Sequence, residues 1–261
     1  MGISERFQGA NTIDSGRLSA YWGEHAARYK FALPFVAGKT VLDIACGTGY
    51  GVGLLKDSTA FVVGADVDAD AISEAKVEAG PNSGIVFGNG LMLPFGDGEL
   101  DVICSFETLE HLHDRVGLLA EFRRVLKPSG KLILSTPNAH YSQPVDGVPT
   151  NPFHIFEYTP EELRAELTAF FEIERFLGQT LASSIRIPPF YDAQRRLPTD
   201  IKTRSMLFAW KVFNKMPFTM RERLSDAIWG KPFYPTEDDY VFSEETLGSA
   251  PVQVALCRPK K

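Results

Sequence analysis
The chain has 261 residues, 44% of them hydrophobic, enough to bury a full core in one main α/β domain with decoration. A net charge of −6 argues against a protein that coats nucleic acid through overall charge, so any such contact needs a local basic patch. No apolar stretch approaches the roughly 20 residues that cross a bilayer, and MGISERFQGANTIDSG has neither a signal-peptide pattern nor a good lipidation context, so a cytoplasmic location is expected.

Strand-like and helix-like patterns alternate from Thr40 to about Gly178, the signature of a mostly parallel sheet covered by helices. Strands are expected at TVLDIA (40–45), FVVGADV (61–67), IVFGN (85–89), LDVICSF (100–106) and KLILSTP (131–137). Helices are expected near 50–56, 69–79 and 114–126, the last stopped at LKPSG. After a loop rich in Pro, Gly and Asn (137–152), Thr159 and Pro160 open TPEELRAELTAF as N-cap and first helical residue. FEIERFLG (171–178) alternates like a sixth strand and VQVALCRP (252–259) like a seventh. Cys46, Cys104 and Cys257 lie far apart without CxxC spacing, as buried free thiols would.

About seventy residues separate the last two strands, too many for an ordinary connection. This insertion is basic and amphipathic: Arg186, Arg195, Arg196, Lys202, Arg204, Lys211, Lys215, Arg221, Arg223 and Lys231 face only Asp192, Asp200, Glu222 and Asp226. A helical cap with solvated charges is the plain reading; contact with a phosphate-bearing substrate, a membrane surface or a second subunit is the alternative. The oligomeric state is open.

VLDIACGTGYG (41–51) ends the first strand in a turn with Gly47, Gly49 and Gly51, where a ligand can approach the backbone closely. The dinucleotide fingerprint GxGxxG fails, because Val52 or Leu54 stands at the third position. With VVGADVDADAI, GNGLMLPFGDGELDVICSFETLEHL and EFRRVLKPSGKLILSTPN following in order, residues 38–178 resemble the class I S-adenosylmethionine-dependent methyltransferases. That resemblance implies a Rossmann-like seven-stranded, mostly parallel sheet with helices on both faces and a helical insertion before the last strand. It implies an N-terminal helical lid (1–37), a cofactor-binding domain (38–179 and 250–261) and an inserted cap (180–249). Tyr21, Trp22, His25 and Tyr29 fall on the lid helix as lid or core residues.

Carried over by position, Asp43, Ala45, Gly47 and Gly49 line the methionine part of S-adenosylmethionine, and Asp66 takes both ribose hydroxyls, as a carboxylate can. Val67 lies against the adenine. Asn89 stands where the family usually has Asp and can accept from the adenine amino group, with Gly90 and Leu91 beside it.

SFETLEHLH (105–113) follows the fourth strand, and Glu107, Glu110 and His111 share one face if a turn of helix begins there. With His154 in NPFHIFEYTPEE, the E-x-x-E-H…H pattern resembles the metal site of small-RNA 2′-O-methyltransferases. It also resembles, more loosely, ubiquinone-biosynthesis O-methyltransferases. Glu107, Glu110, His111 and His154 are thus candidate ligands for Mg²⁺ or Mn²⁺, and Glu107, His111 and His154 candidate catalytic residues; His113 is expected at the surface. The alternative is a metal-free site with His111 as general base or hydrogen-bond partner.

The expected activity is O-methylation of a sugar or glycan-intermediate hydroxyl, with S-adenosylhomocysteine as product. A phenol or amine metabolite, an RNA ribose 2′-hydroxyl, and a non-catalytic binding protein on the same fold remain open.

Overall fold
A computed structural model of the chain describes residues 22–182 and 201–260. The first part of the N-terminal segment, including Tyr21, and the basic residues Arg186, Arg195 and Arg196 lie outside the described residues.

Eight strands form one sheet: β1 (Thr40–Ile44), β2 (Phe61–Asp66), β3 (Ser83–Phe87), β4 (Leu100–Phe106), β5 (Leu126–Pro137), β6 (Phe171–Leu181), β7 (Tyr240–Ser243) and β8 (Val252–Pro259). Their order is β3-β2-β1-β4-β5-β8-β6-β7. Strands β1 to β5 run parallel, whereas β8 is antiparallel to both β5 and β6. Strand order reverses between β1 and β4, and such a switch point opens a crevice above the strands' C-terminal ends.

The helices are α1 (Trp22–Val36), α2 (Tyr50–Leu55), α3 (Ala69–Ala75), α4 (Arg115–Val125), α5 (Ala139–Ser142), α6 (Pro160–Leu167), α7 (Ile201–Asn214) and α8 (Phe218–Trp229). Local chemistry sets several starts: Asp68 caps α3, Asp114 caps α4, and Thr159 and Glu162 form a capping box with Pro160 opening α6. Because successive strand residues face opposite sides, Leu42 and Ile44 join one core with Leu118, Phe122 and Leu163. Val41 joins the other, with Val62, Ile133, Tyr29 and Leu55. Central strands covered on both faces read as continuous apolar runs. All three cysteines are buried and free.

Three expectations need correction. The sheet has eight strands rather than seven: YVFS, inside the expected helical insertion, pairs with residues 178–181 of β6, although α7 and α8 are helical as anticipated. Four residues are too few to show a strand period in sequence. Helix α4 stops at LKPSG as expected, at Val125, but β5 begins at once with Leu126, five residues earlier than read, and Leu126 pairs with Leu100 before a register shift. Strand β3 also begins two residues earlier than read, so Asn89 lies beyond it in a short bridge with Met92.

Candidate active site
The turn after β1 is backbone-driven. Ala45, Gly47 and Gly49 take left-handed φ values of 56°, 53° and 79°. A Cβ at Gly47 would find no atom within 4 Å, so this glycine faces open space, whereas one at Gly49 would fall 2.8 Å from Ala75 Cβ. The two positions therefore do different work: Gly47 leaves room and Gly49 lets the turn rest on α3. Gly51 is packed too, since its Cβ would come within 2.2 Å of the Tyr29 ring.

Asp66 ties the turn to the end of β2. One carboxylate oxygen accepts from Gly47 N at 2.9 Å and the other from Asp68 N at 2.9 Å. Val67 beyond it is 61% exposed, and Phe87, the register partner of Asp66 across β2 and β3, is exposed as well. Asn89 turns its side-chain oxygen to Leu91 N at 3.0 Å. Gly90 lies under Leu118, and the half-buried Leu91 packs against the core. Asp43 stands further in: it is buried and accepts from the Tyr29 hydroxyl at 3.0 and 3.2 Å. Burial pushes its carboxyl up to about 7, against the Tyr29 hydrogen bond, with Asp66 adding to the rise.

The fourth strand ends in a tight bend, with Glu107 at φ 51° followed by a 3₁₀ turn at Leu109–His111. Glu107 and Glu110 part company there. Glu107 accepts from Ser135 Oγ at 2.7 Å and pairs with Arg28 of α1 at 3.0 Å. Arg28 has no solvent exposure and lies 3.8 Å from Glu24, whose carboxyl burial raises to about 7. Glu110 is fully buried and accepts from Thr136 Oγ1 at 2.9 Å through one oxygen, while Oε1 has no hydrogen-bond partner. Desolvation and the nearby Glu107 charge push it up to about 8.

Glu110, His111 and His154 come together, offering one ligand atom each within 4.8 Å of one another. The rings of His111 and His154 stand edge to face, centroids 5.1 Å apart. His111 Nδ1 faces the Phe153 carbonyl at 3.0 Å, which makes it the donor and assigns the lone pair to Nε2. His154 Nδ1 likewise donates to Glu157 at 2.6 Å, and Asn151 Nδ2 lies 3.0 Å from Nε2. Glu157, itself buried, also accepts from Ser142. The backbone holds the two segments together, because Ile155 N donates to the Glu110 carbonyl at 2.7 Å. His113 is exposed, as expected.

Of the four candidate ligands, three converge and Glu107 is engaged by Arg28 and Ser135. Arg28, Glu157 and Thr136 were not identified from sequence. Glu24 and Arg28, four apart on one helix, were a visible pairing signal; their partner Glu107 lies 79 positions from Arg28.

Residues 42–134 match the family model of a methyltransferase domain. The chain is 37% identical over 172 residues to a probable S-adenosylmethionine-dependent methyltransferase of Mycolicibacterium smegmatis, an alignment covering 65% of this chain and 66% of that protein. It is 31% identical over 138 residues, 52% of this chain and 58% of the relative, to a demethylmenaquinone methyltransferase of Corynebacterium kroppenstedtii. The chain thus spans a little under two thirds of the curated relatives' length. In fold it superposes on the methyltransferase solved with the activator Trm112 from Haloferax volcanii, with a TM-score of 0.60, 19% identity, and 99% and 100% of the two chains covered. The order of strands, the glycine turn and these relatives agree: this chain carries an S-adenosylmethionine-dependent methyltransferase domain.

Proposed function
We propose that the protein methylates a hydroxyl group of a sugar or glycan intermediate, using S-adenosylmethionine and a divalent cation held by Glu110, His111 and His154. The observation that carries this reading is the unpartnered, fully buried Oε1 of Glu110 beside His111, whose Nε2 lone pair is set by donation from Nδ1, and His154, whose Nε2 would exchange its Asn151 contact for the cation. A buried carboxylate oxygen without a donor costs free energy unless something else binds it. Buried His–carboxylate and His–carbonyl pairs are the usual supports of metal-binding imidazoles.

Mixed oxygen and nitrogen donors suit Mg²⁺ or Mn²⁺ without excluding Zn²⁺ or Fe²⁺. A cation there would lower the pKa of a hydroxyl of the acceptor, as metals do for water. The chain's own part is positioning. Gly47 leaves room above the turn, Asp66 offers its carboxylate to the ribose diol, and Val67 provides an apolar surface for the adenine. The acceptor oxygen attacks the methyl carbon in line, the carbon–sulfur bond breaks with its electrons going to sulfur, and the hydroxyl proton passes to solvent water. Glu107 is held by Arg28 and Ser135, which keeps a second carboxylate near the site without burying it unpaired.

The same His154–Glu157 pair favours a second reading, a metal-free base acting on a small phenol or amine metabolite. One titration separates the two. Mn²⁺ is added to metal-stripped protein saturated with S-adenosylhomocysteine, in parallel with Glu110→Gln. One ion per chain, weakened at least about 100-fold in the variant, is the expected result. Absent or variant-insensitive binding moves the assignment to the metal-free base.

A further inference from the structure
We infer that α7 and α8 form a docking surface for an anionic lipid bilayer, so that the protein works against a membrane face. The outward side of α7 carries Ile201, Arg204, Phe208, Lys211, Val212 and, just past the helix, Lys215, at the three- and four-residue spacing of one helix face. All six are exposed, Ile201 at 86% and Phe208 at 71%. Helix α8 adds exposed Met220 and Arg223. Residues 201–231 hold seven Lys and Arg against two acidic residues, in a chain whose net charge is −6. Among the described residues, no helix is long and apolar enough to cross a membrane, so the contact is interfacial.

Alternating cationic and large apolar side chains on one exposed face suit the boundary between lipid headgroups and acyl chains. There, basic groups meet phosphates while Phe, Ile and Val enter the apolar edge. The pair is also held as a unit. Arg221 lies over the Phe233 and Tyr234 rings at 5.0 and 4.8 Å, Ser225 Oγ donates to the Lys231 carbonyl at 2.8 Å, and Phe213 packs against Trp229 and Phe233. With its inner side anchored this way, α8 keeps its outer face turned to solvent. The chain after it runs straight onto α1, where Gly23 approaches the Pro235 carbonyl too closely for any Cβ.

Two other occupants fit less well. A nucleic acid would use the cations, but Ile201, Val212 and Met220 have nothing to offer phosphates or bases. A second copy placed by a two-fold axis would set this positive face against itself.

The test is cosedimentation of the full chain with vesicles of phosphatidylcholine alone or mixed with phosphatidylglycerol, at low and high salt. The protein is expected to pellet with the mixed vesicles, less so at high salt. The double variant Lys211→Gln/Lys215→Gln lowers partitioning about thirtyfold, at roughly fivefold per charge. Phe208→Ser/Val212→Ser also loses binding. Unchanged thermal midpoints of both variants establish that the surface, not the fold, was altered. Failure to pellet, equal binding to both vesicle types, or variants that bind like the parent overturn the proposal. So does preferential capture by single-stranded RNA, or a dimer in equilibrium sedimentation that the Phe208→Ser/Val212→Ser variant dissociates.

Discussion

Both carboxylate oxygens of Asp66 are used twice over in this reading, once to hold the turn and once to meet a ribose diol. A carboxylate accepts about four hydrogen bonds, and the backbone donors at Gly47 and Asp68 fix its rotamer in advance. Asp66→Ala therefore removes a ligand contact and loosens the turn together, and S-adenosylhomocysteine affinity should fall at least about 100-fold by calorimetry. This residue was legible in sequence because its role depends on its place at a strand end, two residues before a helix cap. The same holds for Gly47 and Gly49. Arg28 was not legible, since a buried guanidinium between Glu24 and Glu107 exists only once α1 has packed on β4. Nor did spacing alone distinguish Glu107 from Glu110; the left-handed bend at Glu107 sends the two carboxylates to different partners.

Helix α1 is the element that closes one side of the site. It contributes Arg28 to Glu107, Tyr29 to Asp43, and His25 to the Tyr50 hydroxyl at 3.2 Å. The Tyr29 ring also sits edge-on to Tyr50 and Phe106, with centroids 5.4 and 4.9 Å away. Its tight contact with Gly51 explains why the third glycine of the turn falls outside the dinucleotide pattern: it serves helix packing, not a pyrophosphate. Gly51→Ala would place a methyl group inside the Tyr29 ring, and α2 or α1 must shift. Stability should drop by about 1–3 kcal/mol in urea unfolding, with the slope of the transition unchanged. The resemblance to the methyltransferase family, rather than periodicity, placed a helix at α1. Neither revealed β7, because a four-residue edge strand owes its conformation to its neighbour β6 rather than to its own pattern.

Across the whole molecule, acidic groups are taken out of water on one side of the sheet. Asp43 and Glu24 are both buried, and burial holds each carboxyl near 7, above its ordinary range. In the unfolded chain these groups ionise at lower pH than in the fold. Between the two pKa values the native state binds more protons, so stability falls as pH rises from the ordinary carboxylate range towards 7. Asp43→Asn removes its share of that dependence, and thermal melts over this interval should be flatter than those of the parent.

Strand β8 has a consequence for how the protein is assembled. It is the sole described neighbour joining β6, and through it β7, to the parallel part of the sheet. Pairs such as Leu134 with Ala255 close a loop of more than a hundred residues, while β1 to β5 are linked by short crossovers. Contacts of such separation form slowly, because chain entropy is lost before they stabilise anything. The parallel half, with the glycine turn and Glu110, is thus poised to fold early. The other half waits for Val252–Pro259 to arrive, leaving the edge of β5 unpaired in the interval, and that unpaired edge is where misassembly between nascent chains would begin.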